Sequence, residues 1–206
     1  MSKTGDVFEN PVTGERVVVR VGSEESGGEV VISDLYVAPG GAVAAEHVHP
    51  AFEERFTVVA GRVGFRLDGR EEVAEPGREI LVPPGVTHDW WNAGDEEAQV
   101  VVELRGDAGV LAGFEAMLST IFGLARDGRT DAKGRPNLLQ VALLAREFDG
   151  VMHFARPPRP VQKVLFGTLA PVARLLGYRA VYPEYGPSGF VEVEPRPTSA
   201  GVKEAG

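Results

Sequence analysis

The stretch GAVAAEHVHPAFEERFTVVAG, from Gly41 to Gly61, constrains the fold of this chain more than any other. Its second half alternates apolar and polar residues, the pattern of a half-buried strand, in which residues i and i+2 share a face. Glu54, Phe56 and Val58 therefore face one side, and Arg55, Thr57 and Val59 the other. His47 and His49, two of the four histidines, are also two apart and point the same way on a strand. A carboxylate at the edge of an apolar face is costly unless something compensates its charge. A divalent metal ion would do so.

A second segment, GREILVPPGVTHDWWN from Gly77 to Asn92, supplies a third imidazole. Pro83, Pro84 and Gly85 signal a turn between two strand-like runs, and His88 opens the second run. His47, His49, Glu54 and His88 make a donor set of three imidazoles and one carboxylate. Such a set suits Zn, Fe, Mn, Ni, Co or Cu and is poor for Ca or Mg.

The order of these residues resembles the paired signature motifs of the cupin superfamily. The first motif runs Gly41, five residues, His47, one, His49, four, Glu54, six, Gly61. The second runs Gly77, five residues, Pro83, one, Gly85, two, His88, three, Asn92, and fifteen residues separate the two. The resemblance implies a cupin-type double-stranded β-helix, a jelly-roll barrel, holding one divalent transition-metal ion on His47, His49, Glu54 and His88. It is nearly silent on the reaction, because cupins include dioxygenases, isomerases, decarboxylases, sensors and storage proteins.

The flanking sequence points to the same mainly β class without the resemblance. Short alternating runs recur at VVVRV (17–21), Val30 to Val37, Val63 to Leu67, Ile80 to Val82, His88 to Asn92 and Gln99 to Leu104. Asp68-Gly69 is a strong hairpin signal, and many short strands at regular spacing indicate a sandwich or barrel. Near residue 106 the period becomes helical, with Val110, Phe114, Met117, Leu118, Ile121 and Ala125 on one stripe. Leu138 to Phe148 reads as a second helix. Val161, Val164, Leu165, Leu169, Val172 and Leu176 read as the apolar stripe of a third, which Pro171 should kink or split and Gly177 should stop. The expected layout is a barrel over 1–106, about three C-terminal helices over 107–191 packed on the barrel or on a partner subunit, and a flexible tail over 192–206.

Composition narrows the function classes. The absence of cysteine excludes disulfides, thiolate ligands and Cys nucleophiles. A net charge of −9 and a pI near 5.0 argue against nucleic acid and anionic membrane as partners. The start, MSKTGDVFENPVTGE, has no basic n-region or apolar h-region, and no apolar run approaches the ~20 residues needed to cross a bilayer. These features read as a cytoplasmic protein, with a homodimer as a candidate assembly. The expected function is binding of a small organic molecule beside the ion, with a dioxygenase or isomerase as candidate activities and Trp90, Phe56 and Phe65 as pocket residues. The alternative is a non-catalytic metal- or metabolite-sensing module whose helices contact a partner.

Overall fold

The computed structural model of the chain describes residues 1–43 and 45–193. Ten strands come first: β1 (Asp6–Asn10), β2 (Glu15–Val21), β3 (Val30–Val37), β4 (His47–Val48), β5 (Phe52–Ala60), β6 (Val63–Leu67), β7 (Arg70–Ala74), β8 (Glu79–Val82), β9 (Thr87–Asn92) and β10 (Ala98–Gly106). Then follow α1 (Ala108–Arg126), α2 (Leu138–Glu147), β11 (His153–Phe154), α3 (Arg159–Leu175) and β12 (Gly189–Phe190). The flexible tail expected at 192–206 lies, from residue 194 on, outside the described residues.

The strands form two antiparallel sheets, in the orders β12-β1-β2-β3-β10-β5-β8 and β11-β4-β9-β6-β7. Alternation decides which side of each strand is inside. On β5 the side chains of Phe52, Glu54, Phe56 and Val58 are buried, and those between them are less so. On β10, Ala98, Val100, Val102 and Leu104 turn inward in the same way. The β6–β7 hairpin turns at Asp68-Gly69, both at positive φ (47° and 79°), as the sequence signal requires.

The second sheet is narrower, and two of its strands are two residues long. It covers the inner face of the first around β5, where Phe56 meets Phe65 at 5.3 Å between ring centroids. The other half of that face is covered by α1, which packs on β1, β3 and β10 and sets Phe122 against Phe8 and Val19. A helix thus serves as part of the barrel wall. That role explains a departure from expectation: α1 is long and apolar enough to cross a membrane by length and composition alone. Its apolarity has a local use, since Leu111, Met117, Phe122, Leu124 and Ala125 are all buried.

The third helix differs more. Val161, Val164, Val172 and Leu176, expected to be its buried stripe, are exposed, Val164 at 69%. The buried positions are Gln162, Phe166, Ala170 and Ala173, a stripe rotated around the axis, with Ala170 and Ala173 seated against Leu143 of α2. Small residues let the two helices approach closely, and that contact outweighs the burial of three valines. Pro171 does not divide the helix. The carbonyl it leaves without an amide partner is that of Gly167, four residues back, and Arg146 Nη1 donates to it at 3.4 Å. The helix stops where expected: Gly177 has φ 85°, and the N–H groups of Gly177 and Tyr178 bond the carbonyls of Arg174 and Ala173.

Candidate metal centre

Each sheet contributes to the cluster. β4 and β9 pair so that His47 lies directly opposite His88, and His49 follows at the end of β4. Glu54 comes from β5 in the other sheet, level with Leu104 on β10 and Val82 on β8. All four side chains are buried, and one ligand atom from each lies within 4.8 Å of the others. The His47 ring centroid is 4.7 Å from that of His49 and 4.3 Å from that of His88. Phe52 and, from α1, Phe114 flank His49 at 4.2 and 5.5 Å.

Hydrogen bonds set the tautomers. The Nδ1 atoms of His47, His49 and His88 lie 2.8, 3.0 and 3.1 Å from the carbonyl oxygens of Ala45, Val151 and Val86. A carbonyl can only accept, so each Nδ1 carries its proton and donates. In a neutral ring the lone pair then sits on Nε2, the arrangement of a metal-ligating histidine. The Nε2 of His49 is buried and, among the described residues, has no hydrogen-bond partner. The Nε2 of His88 lies 2.9 Å from Glu54 Oε2, and that of His49 lies 3.6 Å from the same oxygen. Two lone pairs cannot face each other at that distance without a proton or a cation between them. The donor set and the orphaned Nε2 both fit a divalent transition-metal ion.

Without an ion, protonation shows the same tension. Burial pushes His47 down to about 3, aided by the charges of His49 and His88. Burial also lowers His49. For Glu54 burial acts upward, but His49, His88 and His47 together outweigh it and hold the carboxyl down at about 2. For His88 burial acts downward, and the Glu54 hydrogen bond and charge reverse it, so this ring is raised. The fourth histidine, His153, sits on β11 opposite Val48 and is not in the cluster.

The cluster opens into a cavity of about 610 Å³. His47, His49 and Glu54 line one end, beside Trp90 and Phe56. Trp91 faces away, against Gly64, where an added Cβ would come within 2.2 Å of the indole. Phe65, expected in the pocket, does not line it. It sits on the inner face of β6 and packs edge-on against Phe56, which does line the cavity. Phe114, Met117 and Ile121 of α1, with Leu144 of α2, close the cavity on its helical side. Polar and charged residues missed by the sequence reading also line it: Asn10, Glu15 and Ser33 of the first sheet, and Asp131, Arg135 and Arg156 of the loops. Period 2 in ERVVVRV carried a usable signal for Glu15, since it shares a face with Val17 and Val19.

The family described as "Cupin domain" matches residues 34–103, which contain all four cluster residues. Residues 34–103 thus carry a cupin domain. The chain is 36% identical over 118 residues to Germin-like protein 3-8 of Oryza sativa subsp. japonica, covering 50% of the chain and 51% of that protein. It is 38% identical over 70 residues to Polyketide synthase CurC of Streptomyces cyaneus, covering 34% and 46%. The chain thus spans about half the length of the curated relatives it matches. A solved structure from Silicibacter pomeroyi, described as a sugar phosphate isomerase from a cupin superfamily, aligns over 51% of this chain and 70% of its own, at 20% identity and TM-score 0.42.

Proposed function

We propose that this chain holds one divalent transition-metal ion on His47, His49, Glu54 and His88 and binds a largely apolar organic molecule beside it, as a dioxygenase or isomerase. The observation that carries the proposal is the continuity between the ligand cluster and the cavity of about 610 Å³, whose walls are mostly aliphatic and aromatic. A bound ion supplies Lewis acidity at the coordination positions left open by four protein ligands. The chain's own residues orient the ligand and exclude water: Trp90 and Phe114 flank the approach to the cluster, and Glu54 offsets the cation's charge. The name of the Streptomyces relative makes polyketide-like aromatics the first ligands to try.

Addition of such aromatics to metal-loaded protein is expected to shift tryptophan emission, because Trp90 faces the cavity. Trp90→Phe should abolish most of the response and Trp91→Phe should retain it. A response that follows Trp91 would place the ligand elsewhere. Oxygen uptake over the same panel separates the dioxygenase from the second reading, a non-catalytic sensing module. The exposed apolar side chains of α3, Val161, Val164 and Val172, with Leu175 and Leu176 at its end, favour that reading as a surface for a partner.

Protons should compete with the ion. A histidine held near 3 when folded and ~6.5 when unfolded takes its proton first in the unfolded chain. Stability tied to neutral His47 is therefore lost as pH falls from ~6.5 towards about 3, and that tied to ionised Glu54 as pH falls from 4.5 towards about 2. At pH 7.5 the metal-loaded protein should melt ~5–10 °C above chelator-treated protein. This gap should shrink steadily as pH falls below ~6. A gap that does not change between pH 7 and 5 would count against metal on these imidazoles.

A further inference from the structure

Asn10 and Glu15 are cross-strand partners at the turn between β1 and β2, so their side chains stand side by side on the inner face. Both line the cavity that contains the metal cluster. They lie far from it. Glu54 shares a rung with Leu104 and Val31, whereas Glu15 shares one with Val37. The six residues from Val31 to Val37 correspond to about 20 Å along β3 at ~3.3 Å per residue. The cavity is therefore long, with the metal cluster towards one end, Asn10 and Glu15 towards the other, and a mostly apolar lining that also includes Ser33, Asp131, Arg135 and Arg156.

The local turn does not use up the polar groups of this distant end. Asn10 Oδ1 accepts from the N–H groups of Val12 (3.1 Å) and Thr13 (3.2 Å), and Asn10 is 1% exposed. With the oxygen taken, the amide NH2 is left, and among the described residues it has no partner. Glu15 is also buried. Among the described residues it forms no ion pair, and its one hydrogen bond comes from the Thr13 hydroxyl. A buried carboxyl that forms no ion pair is costly, and such a cost is more often kept for a ligand than for packing. Burial raises its pKa to about 7, so near neutrality the protonated form, which can donate, is well populated.

We propose that Asn10 and Glu15 form a second recognition point, which binds an uncharged oxygen group, a hydroxyl or carbonyl, at the end of an elongated apolar ligand remote from the metal. This rests on the proposed function and adds to it the shape of the ligand class: a mostly hydrocarbon body with oxygen at both ends.

Linear 1-alkanols and the matching α,ω-diols of about eight to fourteen carbons, chosen against the ~20 Å separation, test it by calorimetric titration of metal-loaded protein. The alkanols should bind through their apolar body. At one chain length the diol should bind roughly tenfold tighter than its alkanol, the worth of one added hydrogen bond in a dry site. Glu15→Met should bring the diol's affinity down to that of its alkanol, and Glu15→Gln should keep most of the advantage. Alkanol binding with no gain for a diol of any length would overturn the proposal and leave the metal-and-cavity reading standing. An advantage that survives Glu15→Met would also overturn it. If neither series binds wild-type protein, the cavity is not the ligand site and both readings fall. Should Glu15→Met not fold, the wild-type length series still decides.

Discussion

His49→Ala is expected to lower bound transition metal from about one ion per chain to a trace, and His153→Ala to leave it unchanged. Both variants remove one imidazole, so the contrast tests place and not residue type. The Nε2 of His49 is buried among the other three donors and, among the described residues, has no hydrogen-bond partner. His153 lies on β11 outside that group. Loss of even an outer partner of a ligand typically lowers metal affinity ~10–100-fold, so loss of a ligand should exceed that. Glu54→Gln should behave like His49→Ala, because it also removes the negative charge that balances the ion. Elemental analysis after dialysis reads all three. Equal metal content in the His49 and His153 variants would end the assignment.

The second large effect is expected from removing the helices. A chain ending at Gly106 loses α1, and with it the cover over Phe8, Val17 and Val19. Leu111, Met117, Phe122 and Leu124 are each at most 5% exposed in the complete fold. Burial of such side chains is worth ~1.5–3 kcal/mol each. Four of them together approach the ~5–15 kcal/mol by which domains are stable at all. Residues 1–106 should therefore aggregate or associate, because the uncovered sheet face is a large apolar patch. Light scattering and thermal melting of the truncated chain would show it. A soluble monomer with unchanged melting would mean that the helices are only tethered to the barrel.

The two expectations differ in how far they were legible beforehand. Strand parity marks the face that His47 and His49 share and the inward face of Glu54, and the resemblance of the two motifs to the cupin signatures implies that His88 joins them in one group. Parity is local: it needs only the period of the chain, and a shift of one residue would turn every ligand outward. The Asp68-Gly69 turn and the stop at Gly177 were readable for the same reason. Each depends on residues close together in the chain.

What only the tertiary structure decided is which element meets which face. Helical period marks Val161, Val164 and Val172 as one stripe of α3, but not that Ala170 and Ala173, smaller and closer-packing, would take the contact with α2. Pro171 reads as a break until Arg146, from another helix, reaches the carbonyl that the proline leaves free. Phe65 alternates inward as expected, yet it packs on Phe56 and does not line the cavity. Glu15 reads as an ordinary polar strand residue. It becomes a buried carboxyl only because α1 and the loop after it close over the β1–β2 end of the sheet. Periodicity records which residues share a side. The partner of that side is brought by segments distant in the chain, and the energy of their contact depends on fit, which no local pattern encodes.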